Sequence, residues 1–219
     1  AGAVAFGGVL ADNRAATATP NSELSLVKQG TGELTLTGAS TYFGVTDVNA
    51  GKIIVGNGGS LGTGAVNLVG ELDYARTDTF TLANSFAGTG TLRFLGVNGV
   101  AKLTGSSTAS GLSVVIGDNS TLQIGDNGTT GALNDPTALT MGAGSILRFS
   151  RTDTDMLAFN APITSAATSS IEQNGTGKTE IDGTGFVGDV FVNAGELEAA
   201  GLSGLELARS ITINAGTFS

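Results

Sequence analysis

Apolar and polar residues alternate along this chain in many short runs, which glycine or Asn-Gly interrupts. Each run lasts about four to six residues, the usual length of a β-strand. Alternation buries every second side chain and leaves the others in water, as in a strand with one wet face. The clearest runs are 34–37, Lys52–Val55, Thr79–Leu82, Thr91–Phe94 and 121–124. No window has the spacing of an amphipathic helix over three turns, so the sequence predicts an all-β fold.

Two sequence markers recur along the chain. The tetrapeptide Arg-Thr-Asp-Thr occurs at 76–79 and again at 151–154. The second marker is an apolar residue, then threonine or aspartate, then glycine; it occurs at 36–38, 103–105 and 181–183. The two sets of spacings are compatible and predict a repeat. The predicted units are approximately 1–68, 69–143 and 144–215, within one β-helical segment, 1–219, of a longer protein.

Short strands that recur at the same positions of each repeat, with glycine at the corners, favour a solenoid over a β-sandwich or a β-propeller. In a β-helix each coil stacks its inward apolar residues on those of the coil before it, so the repeat must keep its phase. We predict a right-handed, single-stranded parallel β-helix with roughly nine coils of roughly 22 to 26 residues each. Leu36 and Ile181 should point inward and Thr35 outward. Residues 126–137 are the predicted site of a longer corner loop.

Composition narrows the classes of function. The chain is 40% hydrophobic and 13% charged, which predicts a packed core and not a disordered chain. Ten basic residues against nineteen acidic ones give a net charge of −9, which argues against nucleic acid or an anionic membrane as a partner. The chain has no cysteine and no histidine, which excludes disulfides, thiolate metal sites and the usual nucleophile–base pairs.

One segment, 26–53, has a more specific pattern. A lysine is followed by Gly-x-Gly, an alternating Leu-x-Leu, a glycine, an aromatic residue two positions before another glycine, Thr-x-Val and Gly-x-Ile. This order resembles the passenger-associated transport repeats and autotransporter-associated β-strand repeats of bacterial autotransporters, the type V secretion proteins. The matching positions are Lys28, Gly30, Gly32, Leu34, Leu36, Gly38, Tyr42, Gly44, Thr46, Val48, Gly51 and Ile53. Ser40 stands where the family often has asparagine, and 174–197 is a degraded second copy.

The resemblance implies a β-helical passenger that a C-terminal outer-membrane β-barrel translocator in the same full-length chain carries to the bacterial surface. The passenger would be anchored there or secreted, after passage through the periplasm. The predicted function is a structural stalk with an adhesive or self-associating surface. The candidate partners are a host surface protein, a glycan or a second copy of the chain. The alternatives are a purely structural or secretion-promoting spacer and, third, a polysaccharide-cleaving β-helix enzyme. No catalytic residue, cofactor or metal is predicted.

Several residue clusters are candidates for chemistry. Asp78, Asp153 and Asp155 are expected in equivalent phases, stacked along one face, and Arg76 or Arg151 beside them would favour the enzyme. The stretches 117–119 and 125–128 resemble calcium loops but lack the β-roll and EF-hand spacings. The stretch 56–59 lacks the lysine of a phosphate loop. The Thr-x-Thr pairs at 35–37 and 79–81 do not recur in every coil, as an ice-binding plane would require. Turns and solvated surface charges explain all of these more simply.

Overall fold

The computed structural model describes residues 2–12, 23–154, 156–200 and 205–219. Those residues form 25 short β-strands. In chain order the first twelve are β1 Ala3–Phe6, β2 Leu26–Lys28, β3 Glu33–Leu36, β4 Thr46–Val48, β5 Lys52–Val55, β6 Val66–Leu68, β7 Glu71–Tyr74, β8 Thr79–Leu82, β9 Phe86–Gly88, β10 Thr91–Phe94, β11 Val100–Leu103 and β12 Ser106–Thr108. The others are β13 Ser113–Ile116, β14 Thr121–Gly128, β15 Ala132–Asn134, β16 Ala138–Met141, β17 Ile146–Arg151, β18 Leu157–Asn160, β19 Ile163–Ser165, β20 Ser170–Gln173, β21 Lys178–Asp182, β22 Asp189–Val192, β23 Glu196–Ala199, β24 Ser210–Ile213 and β25 Thr217–Phe218.

The strands wind into a solenoid with three faces, and every named strand pair is parallel. The first face is one eight-stranded sheet, β1-β3-β5-β7-β10-β13-β16-β19. The second face is a seven-stranded sheet, β8-β11-β14-β17-β20-β22-β24. The third face is divided into β2-β4-β6-β9, β12-β15 and β18-β21-β23-β25. The predicted all-β parallel β-helix is confirmed, with about nine turns.

The alternating pattern locates several strands to the residue. Lys52–Val55, Thr79–Leu82 and Thr91–Phe94 are strands with the predicted bounds, and 121–124 begins the longer strand β14. Leu36 and Ile181 lie in the core, 1% and 0% exposed, as predicted. Thr35 is partly exposed on the outer side of β3. The alternation works as a guide because each strand has one face in the core and one in water.

Coil length varies more than predicted. Along the first face Glu33 pairs with Lys52 and Lys52 with Glu71, so each of these early coils has fewer residues than the predicted minimum. The predicted coil length is wrong for them. Ser113 pairs with Ala138, and the coil between them falls within the predicted range. Among the described residues no strand precedes β8 on the second face, where short connections take its place, so each early coil needs fewer residues. The longest coil on the first face contains 126–137, but the predicted long corner loop there is wrong: 126–128 ends β14, and Ala132–Asn134 is the strand β15, paired with β12.

Stacked apolar columns form the core. On the first face Ile53 lies over Leu34 and under Leu72, and Leu92 follows. Ile53, Leu72 and Leu92 are fully buried. At the corners the coils approach so closely that a side chain has no room: a Cβ on Gly70 would collide with the carbonyl oxygen of Gly51. Each coil therefore depends on the coil before it for its apolar contacts.

Within the described residues there is no α-helix, and none of these residues forms a helical segment that could span a membrane.

We predict that Leu36→Ala lowers the free energy of unfolding by about 2–5 kcal/mol, because it leaves a cavity in an inward column. Thr35→Ala, one residue away on the outer side, should change it by less than about 1 kcal/mol. Urea denaturation followed by circular dichroism measures both. Equal midpoints for the two variants would contradict the assignment of faces.

Candidate functional site

The segment with the transport-repeat pattern occupies two successive coils of the solenoid. Its strands are β2 and β4 on the third face and β3 and β5 on the first face. The apolar residues of the pattern face inward: Leu36, Val48 and Ile53 are at most 1% exposed, and Leu34 packs against the core from its edge. The pattern therefore encodes the stacking of one coil on the next.

Lys28 is the charged residue of the pattern, and it is 8% exposed. Its Nζ donates hydrogen bonds to the carbonyl oxygens of Gln29 at 3.0 Å, Gly30 at 2.7 Å and Ala50 at 3.1 Å. Gly30 belongs to the corner after β2, and Ala50 to the same corner one coil later. The ammonium group thus joins two consecutive corners, and its three donors are all satisfied.

The other polar residues of the pattern also act between coils. Tyr42 is fully buried, and its hydroxyl lies 2.6 Å from Oγ1 of Thr46. Gly51 has a positive φ of 66°, and a Cβ there would collide with backbone carbonyl oxygens of the coil below. This explains why the pattern requires glycine at that corner.

The segment 174–197, which the sequence predicts to be a degraded second copy, follows a residue that makes similar contacts with a different side chain. Gln173 stands where the first copy has Lys28, and its Nε2 donates to the carbonyl oxygens of Gly175 at 2.9 Å and Gly177 at 3.1 Å. Its Oε1 accepts a hydrogen bond from Oγ1 of Thr179 at 3.0 Å. The strand before this corner, β20, lies on the second face, whereas β2 lies on the third. The two segments are therefore related by a rotation about the solenoid axis that carries one face onto the next.

A cluster of five charged residues lies on the outer side of the first face. Nζ of Lys52 is 3.7 Å from the carboxylate of Glu33, 3.3 Å from that of Glu71 and 3.3 Å from that of Asp73. Arg93 lies 2.7 Å from Glu71 and 3.6 Å from Asp73. Each carboxylate has a cation beside it, so the cluster links four successive coils.

Asp73 is the buried member of this cluster, 4% exposed, and its Oδ1 has no hydrogen-bond partner among the described residues. Desolvation raises the pKa of Asp73, and attraction by Lys52 and Arg93 offsets only part of that rise. Desolvation also raises the pKa of Glu71, but hydrogen bonds from Arg93 and Lys52 outweigh it and leave the pKa lowered. The two neighbouring carboxyl groups therefore differ in how well the fold stabilises their charge.

Two open grooves follow the corners of the two pattern copies. The first groove, about 450 Å³, has glycines such as Gly70 on its floor, Val69 at its rim and the side chains of Glu33, Lys52 and Glu71 along one wall. The second groove, about 350 Å³, repeats this arrangement, with glycines on the floor, threonines at the rim and Lys178 and Glu196 on the wall. Both grooves exist because side chains cannot be placed on the stacked corner glycines.

The structure separates the aspartates that the sequence predicted in equivalent phases. Asp78 lies just before β8 on the second face, and Asp153 lies just before β18 on the third, so the expected stack along one face is wrong. The error arises because the repeat follows corners and not faces. Hydrogen bonds from Arg76 and Arg151 lower the pKa of Asp78 and Asp153, respectively. Asp155 lies outside the described residues.

The remaining candidate loops make turns and bridges between coils. Asp118 accepts a hydrogen bond from the backbone N–H of Ala143 at 2.8 Å, and Asp126 accepts one from Lys102 at 2.8 Å. In the stretch 56–59, a backbone hydrogen bond of 2.9 Å closes a turn. Among the described residues, no group of three or more acidic side chains is arranged to hold a metal ion.

The Thr-x-Thr pairs do not continue as threonine ladders. Thr35 pairs with Ile54 in the next coil, and Thr81 pairs with Lys102. At these two places the outer faces therefore lack the regular threonine array that an ice-binding plane requires.

Sequence reasoning identified Lys28 as a motif position but missed its role and that of its counterparts. Gln123 also donates to a carbonyl two residues ahead, that of Gly125, at 2.9 Å. The signal at 28–30 and 173–175 is a lysine or glutamine at the end of a strand, two positions before glycine; 123–125 has the same spacing but lies within β14. Lys28 and Gln173 fall on the inward phase of their strands, where a long polar side chain needs backbone partners. Gln123 instead pairs in register with the outward residue Lys102.

We predict that Lys28→Met lowers the free energy of unfolding by about 1.5–3 kcal/mol, because three partly buried hydrogen bonds from a charged donor to carbonyl oxygens are lost. Lys28→Gln should recover part of this loss, since Gln173 performs the same role in the second copy. The measurement is urea denaturation of the 219-residue chain. Lys178→Met is the control, because Lys178 makes its ion pairs on the surface, where such pairs contribute little to stability. Equal losses for Lys28→Met and Lys178→Met would refute the role of Lys28.

A second prediction concerns Asp73→Asn, which should slightly raise the free energy of unfolding at pH 7. The folded-state pKa of Asp73 lies above its unfolded value, so its ionisation destabilises the fold above the raised pKa. This penalty disappears as the pH falls below the unfolded value of about 3.9. Urea titrations of the wild type and Asp73→Asn at neutral pH and below that value should show the difference shrinking in acid.

Glu71→Gln is the matched control, and it should have the opposite effect. The pKa of Glu71 is lowered in the fold, so this carboxylate contributes stability above the unfolded value of about 4.3 and loses it as the pH falls through the folded pKa. Glu71→Gln should therefore be less stable than the wild type at pH 7. An Asp73→Asn variant that is less stable than Glu71→Gln at pH 7 would show that the carboxylate of Asp73 stabilises the fold.

Comparison with known proteins agrees with this geometry. The family model of the passenger-associated transport repeat matches residues 26–55, which run from β2 to the end of β5. No curated protein and no solved structure gives a significant match to the chain. The chain is thus a β-solenoid that contains a passenger-associated transport repeat, which is consistent with an autotransporter passenger domain.

Proposed function

We propose that this chain is a surface-displayed or secreted passenger segment that acts as a stalk and offers an adhesive or self-associating surface along its sides. The observation that carries the proposal is the transport repeat at 26–55, set in a solenoid whose coils stack in register along one axis. A parallel solenoid extends in one direction and keeps its sides accessible over its whole length. We infer that a C-terminal translocator in the full-length protein carries the segment to the cell surface.

The chemistry of the side grooves supports a binding role over a catalytic one. A glycosidase needs a carboxylic acid with a raised pKa facing the substrate. In the first groove Glu71 has a lowered pKa and is paired with Lys52 and Arg93. Asp73 has a raised pKa, but it is buried beneath these cations. An adhesive contact requires only an open polar surface that a partner can cover.

The charges favour a neutral partner for the grooves. Among the described residues that line the first groove the one cation is Lys52, which three carboxylates already engage. The chain as a whole carries a net charge of −9, which opposes the approach of a polyanion. A neutral glycan or an uncharged protein surface fits this electrostatic pattern best.

The test displays the full-length passenger on cells and fills the first groove with Val69→Arg. Val69 is 63% exposed at the rim of the groove, so the substitution should leave folding unchanged and reduce adhesion or cell clustering. Val97→Arg is the matched control, because Val97 is 52% exposed and lies outside the residues that line the groove. Surface amounts are equalised with an antibody. Equal adhesion of both variants and the wild type would sink the adhesive role of this groove.

A second experiment separates adhesion from simple spacing. Residues 1–219 are replaced by an unrelated solenoid of equal length, and adhesion of the displayed passenger is measured. The adhesive proposal predicts a loss of adhesion. Full adhesion after the replacement would mean that the segment only sets the distance from the cell surface.

A further inference from the structure

The two Arg-Thr-Asp-Thr tetrapeptides, 76–79 and 151–154, lie on different faces but occupy the same place relative to the sheets. The first joins β7 to β8, and β8 is the terminal strand of the second-face sheet. The second joins β17 to β18, and β18 is the terminal strand of the last sheet on the third face. Each tetrapeptide therefore lies in the corner that leads to the first strand of a new sheet.

In the first tetrapeptide the arginine bridges two coils on the outside of the corner. Nε of Arg76 donates to Oδ1 of Asp78 at 2.9 Å, and Nη2 donates to Oδ2 at 2.6 Å. Nη1 donates to the carbonyl oxygen of Gly59, in the preceding coil, at 2.6 Å. The guanidinium carbon also lies 4.5 Å from the ring centre of Phe80, the second residue of β8.

In the second tetrapeptide Arg151 makes the same set of polar contacts. Its Nε donates to Oδ1 of Asp153 at 3.0 Å, and Nη2 also donates to this carboxylate. Nη1 donates to the carbonyl oxygen of Gly131 at 2.8 Å, and Nη2 to that of Thr129 at 3.0 Å. Both acceptors again belong to the preceding coil, so the two arginines perform one geometric task on two faces.

The inside of each corner is also the same. Two residues before each arginine stands a buried aromatic residue, Tyr74 or Phe149. Tyr74 packs against Phe80 of β8, with ring centres 5.5 Å apart. Phe149 packs against Phe159 of β18, with ring centres 5.8 Å apart. An aromatic pair therefore holds the new strand to the strand before it.

The first strand of a sheet is where a solenoid is weakest. It has a strand neighbour on one side only, so half of its backbone groups lack ladder partners. One core residue of each first strand is also less well covered: Phe80 is 8% exposed and Leu157 is 7% exposed, whereas Leu122 in the middle of the second face is fully buried. A guanidinium group that reaches a carbonyl oxygen of the preceding coil supplies a hydrogen bond across this gap.

We propose that the segments 74–79 and 149–154 are clasps, which hold the first strand of a new sheet against the preceding coil. At each of these two positions one face starts a new sheet while neighbouring sheets continue, and β8 and β18 are the strands that open first when their clasp is lost. A clasp acts at any face, because its contacts lie within one corner, the strand that follows it and the corner below. The proposal does not depend on an adhesive role for the grooves.

The test is hydrogen–deuterium exchange, measured by mass spectrometry on the 219-residue chain with Arg76→Lys or Arg151→Lys. Lysine keeps the charge but cannot hold a carboxylate and a carbonyl oxygen in one planar fork. Arg76→Lys should accelerate exchange in Thr79–Leu82 by about tenfold or more and leave Leu157–Asn160 unchanged, since a hydrogen bond to a charged group is lost. Arg151→Lys should do the reverse.

Arg148→Lys is the matched control. Arg148 pairs with Glu172 through Nε at 2.8 Å, but the two residues lie on strands that are hydrogen-bonded within one continuous sheet. Its substitution should leave exchange in Ile146–Arg151 unchanged. The proposal is overturned if Arg76→Lys does not accelerate exchange in Thr79–Leu82, or if Arg148→Lys accelerates its own strand as strongly.

Asp78→Asn keeps the test decisive if Arg76→Lys does not fold. This variant retains the contact of Arg76 with Gly59 and loses only the charge of the carboxylate. The clasp predicts a smaller acceleration, confined to Thr79–Leu82. Uniform acceleration over the whole chain, or none at Thr79–Leu82, would contradict it.

Discussion

Each coil of this solenoid buries its apolar side chains only by lying in register on its neighbours. Residues such as Ile53, Leu72 and Leu92 reach full burial through the residues at the same position one coil above and below. This stacking brings backbone against backbone at the corners, where a side chain on Gly51 or Gly70 would strike a carbonyl oxygen of the coil below. The same close approach leaves the grooves along the sides, because the corner glycines carry no side chains that could fill them.

Stacking also brings the backbone carbonyl oxygens of successive corners together, and those that are buried or partly buried need hydrogen-bond partners. The chain supplies them with long side chains that point inward at the ends of strands. Lys28 satisfies three carbonyl oxygens and Gln173 satisfies two. The transport repeat thus encodes the stacking of one coil on another. Similar contacts form on the third and first faces at β2 to β5 and on the second and third faces at β20 to β23. This independence from the face explains how a short pattern can recur at irregular spacing within one regular rod.

Local features of the fold could be predicted from the sequence, and their placement around the axis could not. The strand Thr79–Leu82 could be located to the residue because its alternation reports directly which side chains face the core. The face on which a strand lies depends on how many strands and short connections precede it, and the tetrapeptides at 76–79 and 151–154 look alike on two different faces. The charged cluster escaped prediction for a related reason. Lys52 and Asp73 meet only because their strands stack in register, although more than a full coil of chain separates them in sequence.

The most direct test of the stacked coils is a pair of electron–electron distances between spin labels on the outer side of the first face. The chain has no cysteine, so labels can be placed at Thr35, Thr140 and Thr164 without interference. Thr140 lies five coils above Thr35 in the register and Thr164 lies six coils above it. We expect the Thr35–Thr140 distance to be about 24 Å and the Thr35–Thr164 distance to be about 4.8 Å longer, because each coil adds one strand spacing. Distances that do not increase from the first pair to the second would contradict a parallel solenoid.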